Sequence, residues 1–441
     1  MSRSDWNGRK LHFIAIGGAG MSGLALVAHR LGASVSGSDR AESGYLERLR
    51  SAGLEPSVGH DDRSLPPDAE VVVSTAIAAD NPELERARDR GQRVVHRGAL
   101  LAELCAAGRL IAVAGTHGKT TTTGMIVHAM RAIGEDPTFF IGGELPGAGE
   151  EGEPANAGLG TGGWVVAEAD ESDASFLELH PEVAVVTNVE LDHHARWGSR
   201  AELFGAFEKF AAPASGAVLG AEPGLDVIAS AAGPGTRVER FDHSSPGPAP
   251  LELSVPGRHN ALNARAALAA IGLAGADVDG AATALANFPG MLRRQELKGT
   301  RAGALIYDDY AHHPTEVRAT LSALRELRPK RLIAVFQPHL YSRTKALSDE
   351  FGEALAAADE VGVLDVYAAR EEPTGPLEGV SGLRVARAAA DHAGGKRVLW
   401  LGDRATAARV LAPRLEEGDL LVTIGAGDIF RLAEDLVEAE V

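Results

Sequence analysis

Cysteine is nearly absent, with Cys105 the single example in 441 residues. One thiol excludes an internal disulfide framework and any metal site built from several cysteines, and it fits a reducing compartment. Positive charge is also scarce. With 43 lysines and arginines against 61 acidic residues, the formal charge is -18. The chain therefore lacks the basic face that tracks a nucleic-acid backbone, and any anionic ligand must meet local cations or helix N-termini. Long apolar runs are missing too: residues 1–10 are polar, and glycines soon break the apolar stretch that follows. Neither a secretory signal nor a membrane span is expected, and the cytoplasm is the expected compartment.

What is present is ample core material, with 45% hydrophobic and 24% charged residues. At roughly 100–200 residues per domain the chain is too long for one core. Short apolar runs alternate with helical stretches, the pattern of mainly parallel sheets with crossover helices. We read three α/β units, at 1–107, 108–300 and 301–441. Strands are expected at 12–16, 35–38, 71–74 and 94–95 in the first unit, with a helix over 82–90. In the second they are expected at 110–114, 164–167 and 183–187, and 146–163 reads as a Gly/Glu/Ala-rich surface loop. A Pro/Gly/Ser-rich stretch, 244–250, precedes a helix from about 260. The third unit has strands at 304–307, 331–336, 360–365, 397–401 and 420–424, a doubly wound sheet.

The first unit carries Gly18, Gly20 and Gly23 in GxGxxG register between strand and helix, with Asp39 at the end of the next strand. Such a loop lets a pyrophosphate approach the backbone, and the acid meets a ribose hydroxyl. NAD and a UDP group fit equally well. The second unit reads A-G-T-H-G-K-T-T-T-T over 114–123, with Val113 where a full Walker loop has its first glycine. Backbone N–H groups there cradle phosphate oxygens, the lysine neutralises charge, and the next hydroxyl reaches Mg²⁺. Two polar strand ends follow: E-A-D-E-S-D-A-S over 168–175, and Asn188, Glu190, Asp192 and His193. Carboxylates at such an edge suit Mg²⁺.

Together these segments, with D-D-Y-A-H-H-P-T-E at 308–316, Q-P-H-L-Y-S-R-T at 337–344, L-D-V-Y-A-A-R-E-E-P at 364–373 and G-A-G-D-I at 425–429, resemble the Mur ligases from about residue 11 to 429. The resemblance implies a three-domain ATP-dependent ligase with ATP and Mg²⁺ as cofactors, and UDP-N-acetylmuramate and L-alanine as substrates. It implies that the UDP group lies on the first unit, near Gly18, Gly20, Gly23, Ser38, Asp39, Ser74, Thr75 and Ala76. ATP is implied at Gly115, Thr116, His117, Gly118, Lys119, Thr120 and Thr121, with His259 and Asn263 at adenine and Arg294 and Asp308 approaching from the hinge and third unit. Thr120, Glu168 and His193 are implied metal ligands, with Lys119 and Glu168 in the chemistry. His312, His339 and Arg343 would position the amino acid or the reacting phosphate. Either histidine is a candidate base, since an ordinary histidine pKa near ~6.5 suits proton transfer.

The chain departs from the commonest family pattern at Leu340, Ala195 and Gln295, and the stretch 212–250 is short. Three rivals remain: a NAD-dependent oxidoreductase, a non-catalytic nucleotide sensor, and a ligase that attaches a murein peptide to the same sugar. A monomer or weak homodimer is expected.

Overall fold

The computed structural model describes residues 6–190, 197–244, 253–369 and 371–438. The chain divides into two compact units, residues 1–253 with 261–289, and residues 254–260 with 290–441.

In the first unit, one sheet is built from β1 (Lys10–Ile14), β2 (Ser34–Asp39), β3 (Ser57–Val58), β4 (Glu70–Val73) and β5 (Val94–His96), in the order β3-β2-β1-β4-β5 and all parallel. Helices α1 (Ala19–Arg30), α2 (Gly44–Ser51), α3 (Pro82–Asp89) and α4 (Arg97–Cys105) connect or follow these strands. β1 lies ahead of the expected 12–16 because Ala15 takes a φ of 63°, which ends the strand and turns it into the glycine loop. α3 starts where Asn81 accepts from the Glu83 and Leu84 amides, with Pro82 in the first turn, the two signals that favour a helix start.

The same unit holds a larger sheet. Its strands are β6 (Arg109–Ala114), β7 (Thr138–Leu145), β8 (Ala155–Gly158), β9 (Trp164–Glu168), β10 (Val183–Val186), β11 (Gly216–Gly220) and β12 (Arg237–Phe241), in the order β12-β11-β10-β6-β9-β7-β8. Helices α5 (Lys119–Ala132), α6 (Arg200–Ala211), α7 (Asp226–Ala231), α8 (Arg258–Leu273) and α9 (Val278–Leu285) accompany it. β10 and β11 are buried along their whole length, so they read as continuous apolar runs. Part of the expected surface loop at 146–163 is instead β8, a buried strand antiparallel to β7. Its Ala-Asn-Ala-Gly sequence carries no strand signal, but small side chains let α1 come close. A Cβ on Gly23 would sit 2.8 Å from the Ala157 methyl, and Asn156 Nδ2 donates to the Ala19 carbonyl at 2.5 Å. One apolar cluster, running from Trp6 through Phe140 and Phe176 to Ile228, serves both sheets.

The second unit has the sheet order β13-β14-β18-β15-β16-β17, with β13 (Glu296–Arg301), β14 (Ala304–Asp309), β15 (Arg331–Phe336), β16 (Glu360–Leu364), β17 (Arg397–Gly402) and β18 (Asp419–Ile424). Only β13 is antiparallel, and it pairs into this sheet although it lies ahead of residue 301. Helices α10 (Pro314–Glu326), α11 (Tyr341–Leu355), α12 (Gly382–His392), α13 (Arg404–Leu411) and α14 (Phe430–Glu438) complete it. No helix among the described residues is long and apolar enough to cross a membrane.

Candidate active site

Parallel strands leave all their C-terminal ends on one edge, where open α/β sheets gather ligands. In the larger sheet of the first unit, three neighbouring strands end there in polar chain. β6 runs into Gly115, Thr116, His117 and Gly118; β9 ends at Glu168; β10 leads into Thr187, Asn188 and Glu190. The loop after β6 is laced to the end of β10. Thr116 N donates to the Asn188 carbonyl at 3.1 Å, His117 N to Asn188 Oδ1 at 2.9 Å, and Thr187 Oγ1 to the His117 carbonyl at 2.6 Å. Gly118, at φ 83°, turns the chain into α5, and a Cβ there would lie 2.5 Å from Asn263 Oδ1. Only glycine suits that conformation and that approach. Thr121 is half-buried in the first turn of α5.

Lys119 heads that helix and is engaged by four oxygens. Its Nζ donates to the Gly115 carbonyl at 2.5 Å, to the Thr116 carbonyl at 3.2 Å, and to Glu171, whose Oε1 and Oε2 lie 3.1 and 3.0 Å away. Burial works against the ammonium, but the carboxylates of Glu171, Asp170 and Glu168 outweigh it, and the Lys119 pKa is raised. Burial, aided by Asp170, pushes Glu171 above the usual carboxylate range despite Lys119. Thr120 Oγ1 donates to Glu168 Oε1 at 3.1 Å, while Glu168 Oε2 accepts from Gly142 N at 2.7 Å. Thr120 and Glu168 thus present adjoining oxygen donors of the kind a hard divalent cation takes. His193, Asp192 and Ala195 lie outside the described residues.

The glycine loop is held differently. Asp39 Oδ2 accepts from Gly17 N at 2.9 Å, so the acid at the end of β2 braces the turn. Gly18 caps α1, and Gly20 and Gly23 line a cleft beside it. Ser74, Thr75 and Ala76 form a turn at the end of β4, next to β1, with Ala76 N donating to Ser74 Oγ. Ser38, expected near the ligand, is fully buried, its hydroxyl engaged by Glu83 and His60.

The second unit places its residues at the corresponding edge of its own sheet. Asp308, at the end of β14, is fully buried and accepts from Arg293 Nε at 3.1 Å and Thr423 Oγ1 at 2.6 Å. Burial raises its pKa against those partners. Arg294 lies over the Tyr310 ring at 5.2 Å. Gln295 N donates to Asp309 Oδ2, and Gln295 Nε2 donates to His259 Nε2 at 3.2 Å, which puts the His259 hydrogen on Nδ1. Burial and then Arg294 pull the His259 pKa down to about 4. His312 Nδ1 donates to the Tyr310 carbonyl at 3.2 Å. Burial, with Arg343 and Arg294 against Glu316, lowers its pKa to about 4. The ordinary value expected from sequence is therefore wrong for His312: it is neutral at pH 7 but a weak proton acceptor. His339 lies 6.4 Å from His312, ring centre to ring centre, and stacks on Tyr367. Arg343 is half-buried on α11, and Leu340 before it holds a φ of 71°, a strained conformation for leucine.

Glu171, Asp170 and Arg97 join the site although their positions in the sequence do not single them out. Arg97 had a signal, since it follows directly on the polar end of β5, whereas nothing in the run E-A-D-E-S-D says which acid turns inward.

A phosphate loop with its lysine, threonine and carboxylate on one mainly parallel sheet, preceded by a glycine-loop domain and followed by another α/β domain, defines a multidomain nucleotide-dependent enzyme. Family descriptions match along the chain: "Mur ligase family, catalytic domain" at 10–109, "Mur ligase middle domain" at 113–244 and "Mur ligase, glutamate ligase domain" at 293–427. The UDP-N-acetylmuramate–L-alanine ligase of Renibacterium salmoninarum is 43% identical, over 98% of this chain and 96% of its own. That of Kineococcus radiotolerans is 46% identical, over 97% and 95%. The solved UDP-N-acetylmuramate-alanine ligase of Thermotoga maritima superposes with a TM-score of 0.81 at 29% identity, over 97% and 98% of the two chains. The chain belongs to the Mur ligase family.

Proposed function

We propose that this chain joins L-alanine to UDP-N-acetylmuramate at the expense of ATP, a step in building peptidoglycan precursors. The observation that carries this reading is Lys119, Thr120 and Glu168 converging at one sheet edge, in a chain similar over nearly its whole length to ligases named for that reaction.

An ionised carboxylate resists attack by an amine, so it must be activated. The lactyl carboxylate oxygen attacks the γ-phosphorus, the bond to ADP breaks, and an acyl phosphate forms. The neutral amine of alanine then attacks the acyl carbon; the carbon–oxygen bond to phosphate breaks, and the amine gives up a proton. Lys119 exchanges Glu171 and the loop carbonyls for phosphate oxygens and stabilises charge on the transferring group. Thr120 and Glu168, with His193, would hold Mg²⁺, which supplies further charge neutralisation. The loop residues Gly115, Thr116, His117, Gly118 and Thr121 cradle the phosphates, and His259, Asn263, Arg294 and Asp308 serve the nucleotide. The first unit's Gly18, Gly20, Gly23, Asp39 and Ser74 to Ala76 take the UDP group, Ser38 acting through its neighbours. His312, His339 and Arg343 receive the amino acid. Burial makes His312 a weak proton acceptor, so it orients the amine, and His339 stays a candidate base beside it.

In domain terms, 1–107 binds the UDP sugar, 108–300 binds ATP and 301–441 binds alanine. A cytoplasmic monomer or weak dimer fits these small nucleotide-linked substrates. ADP release, measured with UDP-N-acetylmuramate and a panel of amines, tests the reading: turnover should require alanine. Turnover with a murein peptide instead of alanine, or with neither, would reject it.

A further inference from the structure

The cleft beside α1 encloses about 660 Å³ including its open mouth, with Gly20 and Gly23 on one wall and Gly142, Asn156, Glu168 and Asp170 on the other. It leads from the glycine loop to Glu168, the partner of Thr120. A carboxylate that is to meet a γ-phosphate beside Lys119 must therefore sit close to two acids. Like charges at such spacing repel, and a desolvated carboxylate needs a cation or several hydrogen bonds. Among the described residues that line the cleft, Arg97 is the only cation.

Arg97 is held for such a task. It opens α4 at the end of β5, and its Nη2 donates to Asp170 Oδ2 at 3.2 Å and to Asp173 Oδ2 at 3.0 Å. Asp173 is itself fixed, accepting from Ser175 N at 2.9 Å, and Asp170 accepts from Ser172 N at the same distance. These bonds take one nitrogen of the guanidinium. Nη1 points the other way, 3.0 Å from where a Cβ on Gly20 would stand, so it faces the glycine loop. A planar guanidinium anchored at one nitrogen and open at another is suited to a carboxylate in a way a flexible ammonium is not.

We propose that Arg97 binds the carboxylate of the sugar acid, so that it selects an acid-bearing nucleotide sugar and presents that acid to the phosphate loop, with Asp170 and Asp173 as its positioning residues. This rests on the ligase reading. The rival anion for the same guanidinium is the pyrophosphate of the same substrate, and the two make different predictions.

The test is calorimetric titration of wild-type protein, Arg97→Gln and Arg97→Lys with UDP-N-acetylmuramate and with UDP-N-acetylglucosamine, which lacks the lactyl acid. Wild type should prefer the acid. Arg97→Gln should lose about 10- to 100-fold in affinity for the acid-bearing sugar, the worth of a charged hydrogen bond, and little for the neutral one, so the preference collapses. Arg97→Lys, which keeps the charge, should fall between and guards against a folding defect. Equal losses on both sugars would assign Arg97 to the pyrophosphate and overturn the inference, as would an unchanged preference in both variants. Wild type that binds neither sugar would reject the ligase reading itself.

Discussion

The two units build their polar sites in opposite electrostatic styles. At the phosphate loop a buried ammonium lies among three carboxylates, and its pKa is raised, so the site is kept charged. At the edge of the second unit's sheet, His259 and His312 are pulled down to about 4. The buried acid Asp309 is pushed up to about 6. Burial dominates there, and the neutral forms win. A loop that must receive a polyanion keeps its cation charged by storing it against exchangeable acids. On the proposed reading the second unit receives an amine nucleophile and has the opposite need, since a neutral amine survives better where charge is disfavoured.

The strongest attack on this contrast is Lys119→Ala. Removing the stored cation should lower ligase turnover by about 1000-fold or more, judged from the cost of deleting one transition-state donor in a closed site. Binding of the UDP sugar should change little. Turnover within about tenfold of wild type would mean that the charge is not the working part.

The neutral style of the second unit is tested by pH. A histidine with a depressed pKa contributes stability that is present above about 6.5 and lost as pH falls towards about 4. The raised Asp309 works the other way, its contribution fading as pH rises through about 6. Comparing wild type with His259→Gln cancels the aspartate. The stability advantage of wild type should shrink by on the order of 1–3 kcal/mol between pH 7 and pH 4, read from denaturant unfolding followed in the second unit. A constant difference would show that His259 is not held neutral.

The smallest effect sharpens the charged side. Glu171→Gln removes the stand-in for phosphate, so Lys119 should give up less on nucleotide binding. The dissociation constant for ATP should fall by about two- to tenfold, measured by calorimetry, while the free protein becomes less stable. Weaker nucleotide binding in this variant would sink the idea that Glu171 competes for the lysine.

Much of the framework was legible because buried parallel strands leave unbroken apolar runs, as in residues 183–186 or 331–336. β8 was not, since alanine, asparagine and glycine carry no strand preference and earn their place by what packs on them. The antiparallel β13 was hidden by Gly299 and charged alternation. In the site, Lys119 and Thr120 were readable from type and spacing, and Glu168 was marked out of its acidic run by the family resemblance. Glu171 was not, because an acidic run does not say which carboxylate faces a buried cation. The depressed pKa of His312 was also unreadable, since burial is a tertiary property.

The fit of Gly23 on Ala157, with Asn156 reaching the Ala19 carbonyl, has a consequence for anyone who would transplant the glycine-loop domain. Its docking face is cut to match the hairpin of β7 and β8, so the two must travel together. A hybrid carrying a foreign hairpin would join two sound halves across a badly seated joint, and the cleft that Arg97 overlooks would lose its shape before any substrate arrived.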